Sequence, residues 1–268
     1  MRIARYAADG HIYYGTVELA ADGGPHPDTV ADLTGDPLAG PVNLTGRRHA
    51  LAEVRLLAPV IPRSKIVGLA RDHAGGPAAP LEAGATPAVF FKPNTSVIGP
   101  DEPIAVPALS RDTAVEGGLA VVIGRICRHL NAERVPEVVF GYTAANDVTA
   151  RDFLADGQPW GIAKGFDSFT PLGPWLITHL SLEEAGNLEI TTTLDEAVVQ
   201  HGSTKQLLWP IARQIAYLSR VMTLLPGDVI LTGAGAPAGS CRVEAGQRSE
   251  VAIEEIGRLG NPVIAEAD

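Results

Sequence analysis

Lysine is scarce in this 268-residue chain. Four lysines stand beside seventeen arginines, and 31 acidic residues outnumber 21 basic ones, for a formal net charge of −10. No Lys/Arg cluster occurs, so the footprint that nucleic acid or an anionic membrane surface requires is missing. Cysteine is nearly absent: Cys127 and Cys241 form neither a disulfide framework nor a metal-type spacing, which fits a reducing, cytoplasmic setting. No run approaches the roughly 20 apolar residues of a membrane span. Met1-Arg2-Ile3-Ala4-Arg5-Tyr6 lacks the apolar core of a signal peptide, so none is expected. The glycine patterns of dinucleotide and nucleotide phosphate loops and the Gly-x-Ser-x-Gly elbow are absent too.

What remains is a chain with 46% apolar residues, 29 glycines and 21 prolines. At this length roughly 70–75% of the unfolded surface is buried on folding, so no staples are needed. Residues 1–60 read as a small N-terminal domain of short strands, with Ile12–Leu19 strand-like, a turn at Asp22-Gly23-Gly24-Pro25, and a helix or strand between Ala50 and Leu57. Pro59 and Pro62 mark a boundary, and 61–268 form the larger domain. Lys65–Leu69, Val89–Phe91, Leu119–Gly124, Val138–Ala145 and Val229–Thr232 are apolar runs of strand length. Residues 74–87 are a Gly/Ala/Pro-rich loop. Leu207–Leu218 has helical spacing and is the best helix candidate. Many short strands with few helices predict an α+β, β-rich fold.

Several longer segments carry more information. They are Phe91-Lys92-Pro93-Asn94-Thr95-Ser96, Glu116-Gly117-Gly118-Leu119-Ala120-Val121-Val122-Ile123-Gly124, Gly141–Asp152, Lys164–Trp175 and Leu225–Gly233. In this order they resemble the fumarylacetoacetate hydrolase superfamily over nearly the whole chain. That resemblance implies a mixed β-roll with a small N-terminal domain, usually a homodimer. Known members cleave or decarboxylate 1,3-dicarbonyl and acylpyruvate compounds with Mg²⁺, Mn²⁺ or Ca²⁺.

Carried over residue by residue, the resemblance places Glu116 and Asp147 at two metal-ligand positions. The resemblance implies a third carboxylate at 118, which strand alternation puts on the same face as 116, but this chain has Gly118 there. The expectation is a weakened Mg²⁺ or Mn²⁺ site that leans on water and substrate. Lys164 and Arg151 match positions that hold negative charge on an enolate or grip a carboxylate. An alternative for Arg151 is a structural pair with Asp152 or Asp147. His73 matches the proton-moving histidine, but its usual glutamate partner is replaced by Gly76, and the segment before it (Arg71-Asp72) is shortened. Glu82 is a substitute acid within the loop. Arg71, Leu154, Gln200, Thr232 and Ala234 fall at substrate-contact positions, with Leu154 in place of a glutamine and Ala234 in place of a threonine. The remaining histidines read as structural or exposed.

The losses gather at the site while the strand motifs persist. The leading reading is therefore a repurposed member that binds an enolisable dicarbonyl or polyketide-like small molecule and promotes a non-hydrolytic step, as an isomerase, dehydratase or cyclase. Lys164 and Arg151 would hold the enolate and His73 would move a proton. A metal-dependent acylpyruvate hydrolase or oxo-acid decarboxylase and a non-catalytic binding subunit remain open beside it.

Overall fold

The computed structural model of the chain describes residues 1–20, 27–70, 86–234 and 241–266. Its backbone is a 12-stranded mixed sheet facing a five-stranded one. The centre of the large sheet is the strand Gly117–Ile123, every residue of which is buried. It pairs antiparallel with Val139–Asn146 on one side and with Val229–Ala234 on the other. The alternation of strand side chains divides this run between two cores. Leu119, Val121 and Ile123 pack with Ile190, Val251 and Ile253 of the smaller sheet, whereas Ala120 and Val122 pack with Ile66, Leu176 and Val229. A strand buried on both faces has no use for polar alternation, which explains the continuous apolar sequence.

The first four strands, Arg2–Ala8, His11–Glu18, Thr29–Leu33 and Leu44–Ala50, form an antiparallel meander. It joins the large sheet where Arg2 and Ile3 pair with Ile177 and Leu176. Between Ala50 and Leu57 the chain makes a 3-10 turn, Leu51–Glu53, and then a short strand, Arg55–Leu57, so both alternatives are present. The predicted turn at residues 22–25 lies outside the described residues, as do 74–85 of the predicted loop.

The helix predicted over Leu207–Leu218 runs instead from Ile211 to Val221. Pro210 sets the start, because a proline disfavours helical geometry in the residue before it but is tolerated at a helix entry. Among the described residues no helix is long and apolar enough to cross a membrane.

Candidate active site

The strand ends around Gly117–Ile123 enclose a cavity of about 360 Å³. Its wall is mostly apolar, with Leu69, Phe90, Leu154, Trp160 and Leu231 among the lining residues. Glu116, Asp147, Arg151 and Lys164 supply its charge, and Gly118 also lines it.

Backbone geometry fixes the two carboxylates. The Glu116 amide donates to the Asn146 side-chain oxygen at 2.9 Å, and Asn146 in turn donates to Ser249. The Asp147 amide donates to the Glu116 carbonyl at 2.8 Å. The Asn-Asp pair is thus a clamp, in which the asparagine ties down one acidic residue and the aspartate is the other.

Two buried lysines converge on Asp147. Lys92 Nζ lies 2.5 Å from Asp147 Oδ1 and donates to the Val148 carbonyl at 3.0 Å. Lys164 Nζ donates to Asp147 Oδ2 and to the Thr149 hydroxyl, and lies 3.9 Å from Glu116 Oε2. Its ammonium also sits 4.4 Å above the Phe90 ring, which packs against Trp160. Burial pushes the Asp147 carboxyl up, but Lys164 and Lys92 outweigh it and hold the group below its ordinary value. Burial pulls Lys92 down to about 8, with Asp147 opposing the fall and Lys164 adding to it.

Arg151 opens the short helix Arg151–Ala155 and reaches the cavity wall. Its partner is neither Asp152 nor Asp147. Nε and Nη2 grip Asp112 at 3.2 and 2.8 Å. Asp152 is occupied by the Ser110 hydroxyl and the Arg111 amide. A guanidinium carries five N–H donors, so Arg151 keeps donors beyond the two given to Asp112.

Glu116, Asp147, Lys164, Arg151, Leu154 and Gly118 therefore meet at one cavity. Two expected contacts sit elsewhere. Gln200 is buried on the opposite face of the central strand, where it bonds both the amide and the carbonyl of Gly117 and accepts from Thr192. Its amide is spent tying the two sheets together. A Cβ on Gly117 would lie 2.2 Å from the Thr192 hydroxyl oxygen, so this close approach requires glycine. Thr232 is fully buried and donates to the Leu119 carbonyl, and its neighbours Leu231 and Gly233 line the cavity instead. Ala234 ends its strand opposite Gly118. Arg71, His73 and Glu82 lie outside the described residues.

Lys92, Phe90 and Trp160 were not singled out from the sequence as site residues. A signal for Lys92 was present: a lysine closing an apolar strand, in a chain with only four, is rarely buried without a charged partner.

The donor set bears on whether a divalent ion fits. Among the described residues no group of three or more His, Cys, Asp or Glu side chains converges. Glu116 and Asp147 are two carboxylates, and both Asp147 oxygens already accept an ammonium. Unit charges about 4 Å apart interact by about 4 kcal/mol at an effective dielectric near 20, so each ammonium would repel a neighbouring dication by roughly twice that. The described residues do not fit a tightly held divalent ion.

Known proteins place this geometry in context. The family described as fumarylacetoacetate (FAA) hydrolase C-terminal matches residues 67–264, and an N-terminal family described as Rv2993c-like matches 1–59. Protein Rv2993c of Mycobacterium tuberculosis is 40% identical over 98% of each chain. The human mitochondrial oxaloacetate tautomerase is 35% identical over 84% of this chain and 77% of its own. A solved 2-hydroxyhepta-2,4-diene-1,7-dioate isomerase from Mycobacterium marinum is 39% identical, with full coverage of both chains and a TM-score of 0.88. A maleylpyruvate hydrolase from Sphingobium sp. SYK-6, solved with manganese(II) and pyruvate, is 28% identical at full coverage of both, with a TM-score of 0.80. With the family matched over most of its length, and relatives this similar across nearly all of it, the chain belongs to the fumarylacetoacetate hydrolase family.

Proposed function

We propose that this protein is a tautomerase or isomerase that moves a proton within an enolisable 2-oxo acid or its 2-hydroxydienoate form. The observation carrying this reading is the charged corner of the cavity, where Lys164 stands beside both Asp147 and Glu116. A 2-oxo acid needs three things to enolise: an anchor for its carboxylate, a cation at the carbonyl oxygen and a base at the adjacent carbon.

Arg151 supplies the anchor through the donors that Asp112 leaves unused. Lys164 supplies the cation. Asp147 orients that ammonium, and Lys92 on the other oxygen holds Asp147 in place. Glu116, partly exposed at the cavity, is the base. The proton on C3 passes to its carboxylate, the C–H electron pair becomes the C2–C3 double bond, and the carbonyl pair moves onto oxygen beside Lys164. The proton returns to that oxygen, or to a carbon further along a conjugated chain. Nothing is consumed, and no water need be activated.

The isomerase and tautomerase relatives support this reading, as does the predominantly apolar wall, which suits a conjugated carbon chain. The test follows keto–enol interconversion of oxaloacetate by ultraviolet absorbance, with 2-hydroxyhepta-2,4-diene-1,7-dioate as a second substrate. Accelerated interconversion without carbon–carbon cleavage is expected. Cleavage of an acylpyruvate, with neither compound isomerised, would sink the reading in favour of a hydrolase.

A further inference from the structure

Among the described residues, charge in the cavity balances. Glu116 and Asp147 contribute two negative charges, Lys92 and Lys164 two positive ones, and Arg151 is matched by Asp112. Hard dications are drawn to places where carboxylate charge is in excess and oxygen donors are open. Neither condition holds at this corner. We infer that two ammoniums stand where a divalent ion would otherwise serve, that Gly118 decides the exchange, and that the protein holds no Mg²⁺ or Mn²⁺ tightly at this site.

Three observations converge. Strand alternation puts residues 116 and 118 on one face, and both line the cavity, so a carboxylate at 118 would stand beside Glu116. Glycine there removes one donor and takes the charge summed over the described residues of the corner from −1 to zero. Next, each Asp147 oxygen accepts a lysine ammonium, one of them from a fully buried side chain. Lastly, Lys164 Nζ lies between Asp147 and Glu116, the two carboxylates an ion would have to bridge. A cation already fills that place, and it is covalently part of the chain. Repulsion from it weakens the hold on a dication unless a further carboxylate, such as one at 118, offsets it.

The role given to the ammoniums rests on the enolising site proposed above, but the absence of tight ion binding can be tested apart from it. The experiment is calorimetric titration of Mn²⁺ into the metal-stripped full-length protein, alongside Gly118→Glu and the shorter Gly118→Asp, with near-ultraviolet circular dichroism to confirm folding. The wild type should show no saturable binding below millimolar Mn²⁺, and at least one folded variant should bind a hundredfold or more tighter. Micromolar, stoichiometric binding by the wild type would overturn the inference, since another ligand would then complete the site. Silence from both variants, when folded, would also overturn it, by removing Gly118 from the deciding position. In parallel, oxaloacetate interconversion should survive chelation. Loss with chelator and recovery with Mn²⁺ would count against the inference. A wild type silent to Mn²⁺ and inactive on both substrates would support the ion inference while ending the tautomerase reading.

Discussion

Asp32 in the N-terminal meander and Asp147 at the cavity both give up water for hydrogen-bonding and charged partners, and those partners differ in kind. Asp32 is fully enclosed. Its oxygens meet the Tyr6 hydroxyl, Arg47 Nη2 at 2.7 Å and His49 Nε2 at 3.4 Å. Arg47 is itself 56% exposed and stacks over the Tyr13 ring, so it covers the aspartate from the solvent side. Asp147 is met by two lysines that are almost completely buried, on a wall that opens to a cavity. An arginine reaching in from the surface loses little hydration. A lysine taken wholly out of water loses much of it, and a buried ion pair is weak evidence for stability. The first arrangement therefore reads as closure of a small sheet. The second keeps charge at a place where substrate can use it.

The strongest way to break this comparison is to remove one charged group from each region. Lys164→Met should lower turnover of oxaloacetate by about 10²–10³, the usual cost of losing one oxyanion donor, in protein that still folds. A loss below tenfold would make the Asp147 cluster as structural as the Asp32 one. Asp32→Ala should do the reverse. It leaves the buried Tyr6 hydroxyl without its acceptor and should cost about 1–3 kcal/mol, read from the urea midpoint. Turnover per folded molecule should stay within twofold, and a large fall in it would tie the meander to the site.

The two adjacent glycines sharpen the contrast within a single strand. Gly117→Ala forces a Cβ against Thr192 and Val251 and should destabilise by about 1–3 kcal/mol. Gly118→Ala faces the cavity and should cost less than Gly117→Ala in the same measurement, with a reversed order counting against the facing assigned to the two residues.

Much of the fold was legible because it obeys local rules. The apolar runs at 65–69, 119–124 and 138–145 became the strands Ile66–Ala70, Gly117–Ile123 and Val139–Asn146, since no other element buries both faces of so short a segment. The Asn146-Asp147 and Lys164 positions were legible from motif resemblance, and they do meet. Gln200 was misplaced because its polar amide reads the same in sequence whether it faces a ligand or a neighbouring peptide. Only the pairing of the two sheets shows that Gly117 consumes it. Lys92 was overlooked for a related reason: its partner lies 55 residues away, and local sequence cannot count the charges gathered around Asp147. The charge balance among the described residues of the corner is a property of the fold and not of any local segment.

The smallest effect expected is a dependence on pH, and its sign separates the two regions. Burial has drawn Lys92 down to about 8, while a lysine in the unfolded chain titrates near 10.4. Between those values the unfolded state binds more protons, so this group makes folding more favourable as pH rises. The reaction should respond in the opposite direction. Above about pH 8 Lys92 becomes neutral, Asp147 loses one of its two charged partners, and Lys164 is drawn more strongly to the aspartate and less to a developing enolate. The rate should fall severalfold between pH 7 and 9 while the urea midpoint holds or rises. The Asp32 cluster adds no such limb through its arginine, because the Arg47 guanidinium stays charged throughout this range. Lys92→Arg, which keeps a permanent charge, should carry the limb upward out of the window. A flat profile in the wild type would show that the charge on Lys92 serves the fold alone, and the distinction between the two aspartates would then rest on Lys164.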